Sequence, residues 1–299
     1  MRLRRSELST PASSERMIEK AVASNADLVF LDLEDAVSPN EKVASRAKVI
    51  NALKTLDWGK KTRAYRINDL ETEYAYQDII SVVEEAGEYI DILIVPKVKS
   101  ARDVWWVDRL LTQIETRLRL PHRIGLEVLI EEVEAVVHIE EIALSSPRLE
   151  ALIFGPGDYS ASQGMDSRVI EGHVDDYPGD PWNYVRTRIA IAAHLAHIDA
   201  IDGAYSDFKN PVGYRREATR AHILGFAGKW AIHPNQLAIA NEVFSPTSEE
   251  IDYARRLDAA YSEAQANGLG AIAFEGKMVD VAIVRSVRNT IQKADLLGL

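Results

Sequence analysis

Gly125-Leu126-Glu127-Val128-Leu129-Ile130-Glu131 is followed, after one helix-like segment, by Leu152-Ile153-Phe154-Gly155-Pro156-Gly157-Asp158. Both runs are short and apolar, the length of a strand rather than a helix. Strands buried on both faces, as in a parallel sheet covered by helices, have this composition. Each run leads to a carboxylate. If the two are neighbouring parallel strands, Glu131 and Asp158 sit side by side at the carboxyl end of a sheet. Two hard oxygen ligands with no histidine or cysteine beside them suit Mg²⁺. Acids at strand ends also serve as helix caps or as solvated loop residues, so the pair alone does not decide.

The same pattern extends in both directions. Strand-like runs lie at 6–10, 28–31, 62–67, 90–95, 199–204 and 228–234. Helical stretches separate them at about 15–24, 41–55, 76–87, 101–118, 132–145, 182–197 and 214–224. Ser13 and Ser14 offer N-cap chemistry to the first helix, and Gly87 a stop to the third. Eight strand–helix units in 299 residues fit a closed barrel better than an open doubly wound sheet. No G-x-G-x-x-G follows the first run, against a dinucleotide-binding fold. The expected fold class is therefore α/β, a TIM (β/α)8 barrel over 1–245 with a C-terminal helical extension over 246–299. The extension reads as helices at 248–267 and 280–296 around a turn-rich stretch at Phe274-Glu275-Gly276-Lys277.

Composition limits the function classes. With 46% hydrophobic and 27% charged residues, the chain can bury a sizeable core. It has no cysteine, which excludes disulfides, thiolate metal sites and cysteine nucleophiles. That is compatible with a reducing cytoplasm, the expected location. No apolar run approaches a membrane span. Met1-Arg2-Leu3-Arg4-Arg5 is basic but lacks the apolar stretch of a secretory signal. A net charge of −11 disfavours nucleic acid. Small molecules remain as ligands.

In a TIM barrel the active site lies at the carboxyl ends of the strands. The runs end on Asp32, Glu34 and Asp35, then Arg66 and Asn68, Lys97, Glu131, Asp158, Asp202 and Tyr205, and His233. Several acids could hold a divalent cation. Arg66 could pair with a substrate carboxylate or stabilise an oxyanion. Asp35 either serves the site or organises the turn before Ser38-Pro39. Lys97 is a substrate contact, a Schiff-base nucleophile or a surface charge. His233, before Pro234, is a structural histidine or a base. The stretch 165–181 is irregular and reads as a long loop, which in compact domains is often functional.

Leu31-Asp32-Leu33-Glu34-Asp35, Arg66-Ile67-Asn68, Val95-Pro96-Lys97-Val98, Glu131, Gly155-Pro156-Gly157-Asp158 with Gly164, and Gly228-Lys229-Trp230-Ala231-Ile232-His233-Pro234-Asn235-Gln236 follow one another in that order. Together they resemble the citrate lyase β-subunit-like branch of the HpcH/HpaI aldolase superfamily, and within it malyl-CoA, β-methylmalyl-CoA and citramalyl-CoA lyases. The resemblance implies a Mg²⁺-dependent lyase, with Mn²⁺ as a substitute, splitting a 3-hydroxy-carboxyacyl-CoA into acetyl-CoA or propionyl-CoA plus glyoxylate or pyruvate. It implies Glu131 and Asp158 as metal ligands and Arg66 as the group facing the thioester carbonyl. Glu34, Asp35, Gly155 and Gly157 fall in its substrate-binding motifs. Pro11, Ser13 and Lys20 match a segment that contacts coenzyme A, although Ala12 and Ser14 stand where relatives have glycine and arginine. Asp280 matches an acid on the C-terminal extension that acts on a neighbouring subunit, in a trimer or hexamer. From the residues alone, Asp280 reads as the N-terminal acid of the last helix. The 165–181 loop would line the acyl or oxoacid pocket.

Three other readings compete. A malyl-CoA thioesterase would use the same metal site with water as the attacking group. A citrate lyase β-subunit would act on a citryl group carried by a protein. A barrel that only binds CoA or a partner would have no need of Arg66, Glu131, Asp158 and Asp280 together.

Overall fold

The computed structural model describes residues 2–171 and 177–299. Eight parallel strands close into a barrel in sequence order. They are β1 (Ser6–Pro11), β2 (Leu28–Asp32), β3 (Thr62–Arg66), β4 (Ile92–Val95), β5 (Gly125–Ile130), β6 (Leu149–Phe154), β7 (Asp199–Asp202) and β8 (Gly228–Ala231), with β1 pairing β8. The helices of this part are α1 (Glu15–Val22), α2 (Lys42–Thr55), α3 (Ala75–Ala86), α4 (Ala101–Leu118), α5 (Val133–Val137), α6 (Ile139–Ala143), α7 (Pro156–Ser162), α8 (Arg168–Glu171), α9 (Asn183–Ala196), α10 (Pro211–Ile223) and α11 (Leu237–Val243). The expected TIM barrel is present. The single helix expected over 132–145 is instead α5 and α6, which meet at His138. Part of the expected 165–181 loop is helical in α8, and 172–176 lie outside the described residues.

Strand periodicity sorts the side chains. Alternate residues face the barrel interior. Leu28, Phe30, Ala64, Ile92, Ile94, Leu129, Ile153, Ile201 and Trp230 pack there as one apolar cluster. The Phe30 and Trp230 rings lie 4.5 Å apart. Asp202 and Lys229 have the opposite parity and face outward. There Lys229 Nζ lies 2.5 Å from Asp202, and Arg186 on α9 pairs with the same carboxylate at 2.8 Å. Asp202 therefore ends its strand without joining the rim of the site.

Below the apolar cluster the interior turns polar. Arg4 Nε donates to Glu127 at 2.8 Å, and its other nitrogens reach Glu150 at 2.6 Å and Asp199 at 3.3 Å. Glu7 Oε2 accepts from Trp230 Nε1 at 2.9 Å. Contacts divide the chain at this scale into a barrel unit, 2–241, and a C-terminal unit, 242–299.

Within the C-terminal unit, α12 (Ser248–Ala266) starts on a Thr247/Glu250 capping box, and α13 (Val281–Leu297) is capped by Asp280. Leu257, Tyr261, Val279 and Val284 form its small core. The turn-rich stretch is a hairpin, β9 (Ala271–Phe274) with β10 (Lys277–Asp280). Its two loop residues, Glu275 and Gly276, both have positive φ, 46° and 76°. Tight hairpins with the twist of their strands require that conformation.

Candidate active site

Strand register builds the first half of the site. Asp32 and Arg66 are paired positions on β2 and β3. The Asp32 carboxylate therefore receives Arg66 Nε at 2.8 Å and Nη2 at 2.6 Å, a two-point fork. Asp32 also accepts from the backbone of Glu34 at 2.9 Å and Ala36 at 3.2 Å. Burial acts to raise its pKa, but Arg66 and these donors hold it below the usual carboxylate range. Arg66 is buried yet stays charged, because Asp32 and Glu34 outweigh its loss of water. Its third nitrogen, Nη1, lies 2.7 Å from Glu34 Oε2. Its guanidinium also covers the Trp230 ring at 5.5 Å. The group is thus fixed on three sides before any ligand arrives.

The second half comes from β5, β6 and the turn after β4. Ile130 pairs with Phe154 at the strand ends, which puts Glu131 beside Gly155. A Cβ on Gly155 would lie 2.3 Å from Glu131 Oε2, so a side chain here would displace the carboxylate. Gly157 has open space instead, with nothing within 4 Å of such a Cβ. Asp158 is not at the end of β6, as the run of sequence suggests. The strand stops at Phe154, and Asp158 is the third residue of α7, with its side chain 43% exposed. Proline at the first position of α7 explains the early stop, since its ring sets the helical φ and cannot donate to the sheet.

Lys97 links the halves. Its backbone lies in the left-handed region, φ 49°, a cost for a side chain with a Cβ. In that conformation its N–H donates to Glu131 Oε1 at 2.8 Å. Its ammonium contacts Glu34 and lies 3.8 Å from Asp158 Oδ1. Burial acts to lower its pKa, but Glu34, and then Asp35 and Glu131, hold it charged. A nucleophilic Schiff-base lysine needs the opposite shift.

Burial pushes the Glu34 carboxyl up to about 7 against the pull of Arg66. Glu131 is pushed up to about 8, by burial first and then by the charges of Asp158 and Glu34. Among the described residues no group of three or more His, Cys, Asp or Glu surrounds a metal position. Two carboxylates with the remaining places left to water and substrate oxygens is the arrangement Mg²⁺ favours. Glu131 and Asp158 fit that ion.

A cavity of about 820 Å³ opens over this cluster. Arg66, Asp35, Glu131, Gly155, Gly157 and Asp158 all line it, and Glu34 backs it through Arg66. Pro11, Ser13 and Lys20 are not in its lining. The Ser13 carbonyl accepts from Lys48 at 2.5 Å, and Lys20 sits exposed in the last turn of α1. Asp280 lies in the C-terminal unit, where its carboxylate accepts from Ala282 N at 3.0 Å and Ile283 N at 3.3 Å. His233 caps the turn at Pro234–Gln236 and stacks on Phe208. Asp32 was visible only as one of three adjacent acids. Its place under Arg66 depends on register, which the sequence does not display. Trp182, Arg216 and Arg220 line the cavity without a motif to mark them.

The family model for HpcH/HpaI aldolase/citrate lyase matches residues 5–234. The chain belongs to this family. It is a carbon–carbon lyase with a closed parallel barrel. A curated L-malyl-CoA/β-methylmalyl-CoA lyase from Cereibacter sphaeroides is 40% identical over 98% of this chain and 95% of its own length. A (3S)-malyl-CoA thioesterase from the same species is 35% identical over the same shares. Among solved structures, protein CitE from Mycobacterium tuberculosis, in complex with magnesium, acetoacetate and coenzyme A, matches with TM-score 0.77. It is 27% identical and covers 97% of both chains. Among the described residues of the present chain, no helix is long and apolar enough to cross a membrane.

Proposed function

We propose that this family member catalyses Mg²⁺-dependent, reversible cleavage of a 3-hydroxy-carboxyacyl-CoA. Malyl-CoA, β-methylmalyl-CoA and citramalyl-CoA are the candidate substrates. The products would be acetyl-CoA or propionyl-CoA plus glyoxylate or pyruvate. The observation that carries this reading is the convergence of Arg66, Glu131 and Asp158 on one cavity. Both the 40% identity to a malyl-CoA lyase and the magnesium and coenzyme A in the CitE complex support it.

Glu131 and Asp158 would hold the cation, and Mn²⁺ would serve in its place. When bound, Mg²⁺ supplies Lewis-acid polarisation at the oxoacid end of the substrate. Arg66 faces the thioester oxygen, where negative charge grows as the C–C bond breaks and the acyl-CoA enolate forms. Its fixed pairing with Asp32 means little reorganisation is needed at that moment. Glu34 and Asp35 border this position and orient the substrate. The enolate carbon then takes a proton, and Asp280 is the proposed donor. In the C-terminal unit Asp280 is flanked by exposed Met278 and Val281, 74% and 50% accessible. Such a surface suits packing against another copy, so the working form would be a trimer or hexamer with Asp280 acting on a neighbour. The setting would be the cytoplasm.

Thioester hydrolysis is a second reading, favoured by the 35% identical thioesterase. Incubation with Mg²⁺ and malyl-CoA separates the two. Glyoxylate with acetyl-CoA is the expected result, whereas malate with free thiol would identify a thioesterase. Failure to turn over malyl-CoA, β-methylmalyl-CoA or citramalyl-CoA would refute both. Asp280→Asn should keep Mn²⁺ binding but lose proton exchange at the acyl carbon, followed by NMR in deuterated water. Loss of metal affinity in that variant would show that Asp280 has a different role.

A further inference from the structure

Helix α2 opens on Lys42, and its first turn holds no acid. A cation at the start of a helix sets its charge against the helix dipole, so local structure does not call for a lysine here. Tertiary structure does. The ammonium donates to Leu33 O at 3.1 Å, to Glu34 O at 2.7 Å and to Asn68 Oδ1 at 2.5 Å. An ammonium has three N–H donors, and these oxygens use all of them. The Tyr74 ring lies 6.0 Å from the same nitrogen. Lys42 therefore has no donor left for a ligand, and it is not in the lining of the cavity over Arg66.

What Lys42 clamps is the segment between β2 and α2. The carbonyls of Leu33 and Glu34 go to Lys42, while the N–H groups of Glu34 and Ala36 go to Asp32. Asp32 and the Glu34 side chain in turn grip the Arg66 guanidinium. Asn68 ties down the other side. Its N–H and Nδ2 donate to Asp78 Oδ2 on α3, at 2.9 and 2.7 Å, and Asp78 Oδ1 accepts from Arg46 Nε on α2 at 2.7 Å. That bonding fixes which way the Asn68 amide points and leaves Oδ1 for Lys42. Helices α2 and α3 thus brace the segment and, through it, Arg66. Glu131 and Asp158 are placed separately, by Lys97 N and by α7.

We propose that Lys42 is a positioning residue: its three-point clamp on Leu33 O, Glu34 O and Asn68 fixes Arg66 for the charge that develops on the thioester oxygen, and leaves the cation-binding half of the site alone. The proposal rests on the acyl-CoA lyase reading above and adds how the Arg66 half is held ready. Donors fixed before charge develops stabilise it without reorganisation. A compact ammonium on a flexible stem suits three oxygens grouped around it, whereas the planar fork of a guanidinium does not.

Two thioethers of CoA provide the test. In S-carboxymethyl-CoA a carboxylate carries negative charge where the enolate oxygen would stand; in S-carboxamidomethyl-CoA a neutral amide of the same shape replaces it. With Mg²⁺ present, the unaltered full-length protein should bind the anion more tightly by calorimetry. In Lys42→Met that preference should fall about tenfold, as a hydrogen bond to a charged group is weakened. Turnover of malyl-CoA should show a kcat lower by about 10–100-fold, the cost of slightly misplacing a catalytic group, with Mn²⁺ affinity unchanged. Lys42→Arg keeps the charge and is the variant to use where Lys42→Met does not fold; it should be impaired to a similar degree. Equal weakening of both thioethers in Lys42→Met, an unchanged kcat, or Mn²⁺ affinity falling in step with kcat would overturn the proposal, as would full turnover in Lys42→Arg. Those outcomes leave the acyl-CoA reading intact. An unaltered protein with no preference for the anion would instead overturn the role of Arg66 in that reading, and this proposal with it.

Discussion

Glu127 on β5 and Glu131, the residue just past its end, lie four positions apart with the same parity, and both are buried. About 13 Å of strand separates them, filled by the apolar layer around Leu129. Glu127 ends in a closed ion cluster, with Arg4 2.8 Å away. Glu131 ends facing Asp158 and an 820 Å³ cavity, with one backbone N–H as its recorded donor. The same residue type is thus structural at the start of β5 and, in the proposed function, a metal ligand just past its end. Burial of a charge does not mark a site; a buried charge whose counter-charge must come from outside does.

The largest expected effect tests the open end. Asp158→Asn or Glu131→Gln should abolish Mg²⁺-dependent turnover. The loss of Mn²⁺ affinity, read by magnetic resonance, should exceed the roughly 10–100-fold cost of losing an outer partner. Full activity in either variant would erase the distinction between the two ends.

The closed end should respond in stability instead. Arg4→Met leaves Glu127 buried without its partner, and about 3–5 kcal/mol of unfolding free energy should be lost. Denaturant titration measures this, while the Mn²⁺ affinity of the folded variant should stay unchanged. A variant that keeps its stability but loses the cation would show the ends to be coupled through the barrel.

Gly155→Ala probes geometry alone. The added Cβ, 2.3 Å from Glu131 Oε2, forces the carboxylate aside. Cation affinity should drop about 10–100-fold, as when the positioning of a ligand is disturbed. Unaltered affinity would mean that Glu131 holds the cation from another rotamer.

The smallest effect concerns Glu7. Burial first, and then Glu127, raise its carboxyl well above its ordinary value of 4.5. The folded state therefore binds this proton more tightly than the unfolded chain does. The associated stability is fully present below pH 4.5 and is lost as pH rises through the folded-state value. Glu7→Gln should flatten the fall in stability with rising pH by at most about 1.4 kcal/mol per pH unit. Parallel curves for the variant and the unaltered protein would place Glu7 outside the titrating cluster.

Eight apolar runs with helices between them are enough to read the barrel, because period and length are local properties of the chain. The acids and the arginine at the strand ends are equally local, and Glu131, Arg66 and Asp158 stand out in that way. Asp158 shows the limit: its sequence neighbours suggest a strand end, but Pro156 starts a helix two residues before the carboxylate. Asp202 shows another, since its parity on β7 turns it out to Arg186 and Lys229. What joins Asp32 to Arg66, clears Gly155 for Glu131 and brings Arg216 and Arg220 to the same cavity is pairing between strands and closure of the barrel. Those depend on residues tens to hundreds of positions apart. Local pattern therefore determined which groups the protein owns, and only the closed sheet decided which of them meet.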